Sequence, residues 1–153
     1  VIEQYALRII RHDESLTPFT IVELENKDSY TPLFNLKVQG KDEQIRLFGI
    51  IDRVDSHQGK VRIVDYKTGR DQLKFKDFEG LFSDDGKDQN KALIQTLFYT
   101  YVYEKAKEVK NVEPHLYTVK DFKNGTLFSE KRKGGSQLSD QNLDYFKEQF
   151  ERI

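Results

Sequence analysis

The chain has 153 residues, 37% of them hydrophobic and 33% charged, and a net charge of −1. That length and balance fit one folded, soluble domain with a real core and exclude a disordered polyelectrolyte; any nucleic-acid contact must come from local basic clusters rather than overall charge. Cysteine is absent, which excludes disulfides, thiolate zinc sites, iron–sulfur clusters and cysteine nucleophiles, and fits a cytoplasmic location.

No apolar run approaches the roughly 20 residues of a membrane-spanning helix, and no secretory leader is visible, so no membrane partner is expected. The chain starts at Val1 and contains no methionine. The expectation is a single domain over residues 1–153, excised from a longer protein or processed.

In chain order, Ile2, Tyr5, Leu7, Ile9 and Ile10 recur at helical spacing, which predicts a helix from Val1 to His12. Turn formers and breakers gather over Asp13–Pro18. Phe19–Leu24 and Leu33–Val38 read as strands, Gly40–Glu43 as a polar turn, and Ile45–Val54 as a longer third strand. Ser56–Lys60 turns back into a fourth strand, Val61–Lys67. Arg70–Asn90 is polar, with Gly80 and the Asp84–Gly86 cluster, and reads as loop with one helical turn at most. Ala92, Gln95, Leu97, Tyr99, Val102 and Tyr103 mark an amphipathic helix over Lys91–Lys107. Strands are predicted over His115–Val119 and Thr126–Lys131. A last helix over Leu138–Ile153 has Ser139 as N-cap and Leu143, Phe146 and Phe150 on one face. Helix, strands, helix, strand, helix implies an α/β sandwich with a mixed sheet.

The chemistry concentrates in Gly49-Ile50-Ile51-Asp52-Arg53-Val54-Asp55 and Val64-Asp65-Tyr66-Lys67-Thr68-Gly69. Alternation along a strand sends Asp65 and Lys67 to one face. A turn over His57–Lys60 pairs residues whose numbers sum to 117, which sets Asp52 across from Asp65 on that face. A slip of one residue would separate them. Facing carboxylates repel unless a cation lies between them, and oxygen donors without thiolates or clustered histidines suit Mg²⁺ or Mn²⁺ better than zinc. Such a metal polarises a phosphoryl oxygen and lowers the pKa of bound water. Lys67 is placed to orient that water or to stabilise developing negative charge, and the Tyr66 backbone carbonyl offers a further hard oxygen.

These residues, followed by Gln95-Thr-Leu-Phe-Tyr99, resemble the PD-(D/E)xK nuclease superfamily, and its RecB-like branch of bacterial helicase–nucleases in particular. The resemblance runs from Phe19 to Tyr103 and rests on three separated elements in the right order. It implies a restriction-endonuclease-like sandwich, a mixed sheet flanked by helices. It also implies Asp52 and Asp65 as metal ligands, Lys67 as the catalytic lysine, and Gln95 and Tyr99 as supports of the site and the DNA. Gln95 and Tyr99 are four apart and so share a helix face, as that role requires. The implied activity is Mg²⁺- or Mn²⁺-dependent hydrolysis of DNA phosphodiesters in repair or recombination. The implied partners are DNA and a helicase or helicase-like neighbour. RecB-like domains usually add a histidine ligand from an upstream helix. His12, the only upstream histidine, does not match that position, so the expectation is a ligand-bearing segment ahead of Val1. The alternative is a catalytically degenerate DNA-binding or docking module; a nuclease fold with another hydrolytic substrate is the weaker third reading.

Other residues invite structural readings. Asp55 opposite Arg62 reads as a cross-strand ion pair, and Arg53 as hairpin support with a phosphate contact as the sharper option. Glu23 in the first strand reads as structural rather than metal-binding. His12, His57 and His115 are scattered, and Tyr99, Tyr101 and Tyr103 read as core and rim of one helix. Lys74, Lys76, Lys120, Lys123 and Lys131–Lys133 read as solvated surface, with Lys131–Lys133 the one stretch suited to a DNA backbone.

Overall fold

The computed structural model describes residues 1–26, 30–69, 71–82, 89–120, 122, 125–130 and 140–151. Helix α1 spans Ile2–Leu16, one turn beyond its predicted apolar stretch. It stops where breakers were expected: Thr17 is extended, with φ −62° and ψ 142°, because the ring of Pro18 disfavours helical geometry in the residue before it. Strands β1 (Phe19–Leu24) and β2 (Leu33–Val38) occupy the predicted residues.

The next stretch departs from the sequence reading. Lys41–Arg46, half of it expected to be turn, is strand β3, paired with β2 in a hairpin of its own. The turn is only Gln39 and Gly40, both with positive φ, as a two-residue type I′ connection requires. Residues 41–44 are all exposed, so no hydrophobic alternation announces the strand. The long strand expected over Ile45–Val54 is divided. β3 ends at Arg46 and strand β4 covers Arg53–His57, because the chain leaves one sheet at Leu47 and enters another at Arg53.

β4 pairs antiparallel with β5 (Lys60–Lys67), from Arg53 opposite Val64 to His57 opposite Lys60. This is the predicted register, closed by Gln58 and Gly59 at φ 52° and 79°. Between Lys74 and Leu81, where mostly loop was expected, lie a two-residue strand β6 (Lys74–Phe75) and a short helix α2 (Phe78–Leu81). Leu73, Phe75, Phe78 and Leu81 are buried, so this polar-looking segment seals the core. Helix α3 covers the predicted Lys91–Lys107. Asn90 caps it by accepting from the Leu93 amide at 3.0 Å, and Glu108 ends it in the left-handed region. Strands β7 (Glu113–Thr118) and β8 (Ser129–Glu130) and helix α4 (Asp140–Glu151) complete the order. The expected cap Ser139, the Asp84–Gly86 cluster, Lys123 and the Lys131–Lys133 stretch lie outside the described residues.

The main sheet runs β1-β4-β5-β7, antiparallel except for the parallel β5–β7 pair, whose crossover carries α3. Val54 and Ile63 point to the α3 side and pack with Val102 and Tyr103. Leu116 joins Leu93, Leu97 and Tyr101 of α3 and Leu143 and Phe146 of α4. The alternate residues, Arg53, Asp55, Arg62, Tyr66 and Tyr117, face α1. This is the expected restriction-endonuclease-like arrangement, a mixed sheet flanked by helices. Among the described residues no helix is long and apolar enough to cross a membrane.

Candidate active site

Asp65 and Lys67 leave β5 on the α3 side, as alternation predicts. Lys67 Nζ stands 2.8 Å from Asp65 Oδ2 and donates to Gln95 Oε1 of α3 at 2.9 Å. Gln95 Nε2 in turn donates to the Tyr99 hydroxyl at 2.8 Å. The two strand residues and the two helix residues singled out by sequence therefore form one continuous chain of polar contacts. The i, i+4 spacing on α3 stacks Gln95 and Tyr99 one turn apart. Gly49 makes the fit possible. A Cβ there would lie 2.4 Å from Tyr99 Cε1 and 2.8 Å from Cδ1, so only a glycine lets this segment approach the ring.

Asp52 is placed differently from expectation. It precedes β4 rather than lying in it, one residue beyond the last paired position. Its carboxylate reaches across the hairpin all the same, accepting the Tyr66 amide proton at 2.8 Å, while its carbonyl accepts from the Glu25 amide at 3.1 Å. Asp65 is buried. Burial pushes its carboxyl pKa up, the Lys67 ammonium opposes this, and the charges of Asp52 and Asp71 add to the rise. Burial pulls the Lys67 ammonium down, but Asp65, with Asp52 and Asp71, outweighs it and holds the lysine above its ordinary value. Lys67 is thus a firmly protonated cation set against a carboxylate that resists ionisation. Asp71 is an acidic neighbour that sequence reasoning did not single out. It lies beyond the Asp-x-Lys motif in a segment read as loop, and no spacing rule marks it.

Arg53, expected as a support or a DNA contact, is only 3% exposed. It bonds to Asp13, Asp55, Tyr66 and Tyr117, on the sheet face away from Lys67. The predicted Asp55–Arg62 pair forms at 2.5 and 2.9 Å, with both residues buried. Glu23 is engaged by Tyr30, by Asn26 at 2.8 Å and by Lys107 at 2.9 Å. His12 stacks on Phe122 and meets Tyr117 edge-on, also behind the sheet. His115 is buried against Thr126, and His57 pairs at the hairpin end. Tyr101 and Tyr103 are core residues, and Tyr99 is half-buried at the rim.

For a divalent cation, the donor set can be tested on Asp65. Its Oδ2 is buried, and no donor meets it in hydrogen-bond geometry although the Lys67 charge is close. An oxygen so placed, beside an Asp52 carboxylate with one oxygen outside its amide bond, fits a hard cation. Among the described residues, no three His, Cys, Asp or Glu side chains converge on one metal position. Asp52 and Asp65 are therefore, among the described residues, the carboxylates assigned to this site.

No curated protein and no solved structure matches the chain. One family model does, that of the PD-(D/E)XK nuclease superfamily, over residues 1–153, and the chain belongs to that superfamily.

Proposed function

We propose that this chain is a metal-dependent deoxyribonuclease domain, with Asp52 and Asp65 as ligands of Mg²⁺ or Mn²⁺ and Lys67 as the catalytic cation. The single observation that carries the reading is the contact chain Asp65–Lys67–Gln95–Tyr99, which joins the superfamily's motif on β5 to a support on α3. A bound divalent ion would supply Lewis acidity toward a phosphoryl oxygen and lower the pKa of water. The chain's own residues do the remainder. Asp52 ties its hairpin end to the Tyr66 amide and so fixes the spacing of the two carboxylates. Gln95 holds the ammonium of Lys67 so that its charge is available to a phosphate oxygen without reorganisation. Tyr99 orients Gln95, and the Tyr66 carbonyl is assigned as a third hard oxygen. Arg53 serves the site by support from behind the sheet, not by touching DNA.

The finer reading is a RecB-like domain: residues 1–153 are one nuclease domain of a longer cytoplasmic repair or recombination protein, beside a helicase-like region. Lys67→Ala tests the chemistry. It is expected to abolish cutting of DNA in Mg²⁺ or Mn²⁺ while sparing the fold and metal binding, and cutting at the wild-type rate would refute the assignment. A second reading, a non-cleaving DNA-binding or docking module, is favoured by one observation: among the described residues no third metal-ligating side chain joins the two aspartates. The two readings separate on metal affinity and turnover.

A further inference from the structure

Helix α1 contributes no buried residue to the core, yet it is fastened to the sheet by polar contacts. Arg8 reaches the Val119 and Lys120 carbonyls at 3.4 and 2.5 Å. Asp13 takes both terminal nitrogens of Arg53, at 2.7 and 3.1 Å, and accepts the Tyr117 hydroxyl at 3.0 Å. Arg53 gives its Nε proton to Asp55 at 2.8 Å and bonds the Tyr66 and Tyr117 hydroxyls at 2.9 and 3.3 Å. Each of its five N–H donors thereby finds an acceptor. Such a saturated network, centred on the buried Arg53 with Asp13 and Tyr66 half-buried at its edge, has one favourable arrangement and holds its members in it.

The sequence positions of those members matter. Arg53 directly follows Asp52, and Tyr66 lies between Asp65 and Lys67. One guanidinium therefore ties together, from the face opposite Lys67, the backbone next to all three proposed site residues. Within this network, Arg53 and Arg62 are balanced by Asp55 and Asp13. Asp13 is the only one of the four that the sheet does not carry.

We propose that Asp13 is a positioning residue, through which the docking of α1 on Arg53 sets the spacing of Asp52 and Asp65. The inference rests on the metal reading given above. Removing the charge of Asp13 leaves the buried guanidiniums of Arg53 and Arg62 to share Asp55 as counter-charge, one negative charge short. Arg53 must then shift, and Asp52 and Tyr66 shift with it.

The test is a calorimetric Mn²⁺ titration of wild type, Asp13→Asn and Tyr117→Phe, with circular dichroism and urea unfolding of each. Wild-type binding that is lost in Asp65→Asn establishes the metal reading independently of Asp13. Groups bonded directly to metal ligands change metal affinity about 10–100-fold; Asp13 acts one step further away, and the folded Asp13→Asn protein is expected to weaken Kd about fivefold. Tyr117→Phe keeps the ring and the ion pair and loses only the hydroxyl, so it reports if Asp13→Asn does not fold; a smaller weakening is expected. Wild-type affinity in the folded variants, whatever their urea midpoints, overturns the proposal and leaves Asp13 a stabilising residue only. Absence of binding in the wild type overturns the metal reading and this inference with it.

Discussion

A single methyl group at Gly49 tests how tightly the site is built. In Gly49→Ala the new Cβ would stand 2.4 and 2.8 Å from two ring carbons of Tyr99, where carbon contacts normally settle at about 3.5–4.0 Å. The ring must therefore move by about 1 Å, against its hydrogen bond from Gln95. Overpacking of this kind costs about 1–3 kcal/mol. Gly49 is not among the residues with positive φ, so alanine suits the backbone, and the stiffer unfolded chain returns about 0.4–1 kcal/mol. The net loss is about 0–2.6 kcal/mol, and at about 2–4 °C per kcal/mol for a chain of this size Tm falls by up to about 10 °C. Cutting falls too, since a displaced Tyr99 releases Gln95 and with it Lys67. The assay is a double-mutant cycle by urea unfolding of wild type, Gly49→Ala, Tyr99→Ala and the double variant. Without the ring the added methyl keeps no contact closer than 3.6 Å, so Gly49→Ala becomes neutral or slightly stabilising in the Tyr99→Ala background. An equal penalty in both backgrounds would refute the claim that Tyr99 is what Gly49 accommodates.

Asp55→Asn, which leaves the buried Arg53 and Arg62 with too little negative charge, is expected to lose about 3–5 kcal/mol of stability in urea unfolding; a loss under about 1 kcal/mol would show that water screens the network. The Glu113 carboxyl is held down to about 2, by its hydrogen bond with His115 above all, with burial opposing and Lys60 assisting. Because that value lies below the ordinary one, ionised Glu113 contributes stability that is complete above about pH 4.5 and is lost as pH falls through about 2. Glu113→Gln should lose this part of the acid dependence, and identical slopes for wild type and variant between about pH 5 and 2 would count against it.

Elements whose local chemistry agrees with their tertiary setting were readable from the sequence. The bounds of β1, β2 and α3 matched, and so did the hairpin register, because Gln58 and Gly59, both at positive φ, close it as a two-residue loop. The contact of Lys67 with Gln95, and through it with Tyr99, was foreshadowed by the superfamily resemblance, which marked Gln95 and Tyr99 as supports of the site. β3 was missed because its hairpin lies outside the main sheet and its exposed residues do not alternate. The Ile45–Val54 run misled because its apolar residues serve three purposes: hairpin, approach to Tyr99, and main sheet. Asp52 therefore came out one residue short of its strand. Asp13 bonds Arg53 across 40 positions and Asp71 acts through space, and periodicity carries no signal for either.

The central claim is that Asp52 and Asp65 hold a divalent cation. Its most direct test is a Mn²⁺ titration of this chain with Asp65→Asn alongside, both shown to be folded. Saturable binding by the wild type that disappears in Asp65→Asn is the predicted result. No binding by the folded wild type, or equal binding by Asp65→Asn, would contradict it and shift the assignment to a non-cleaving DNA-binding or docking module.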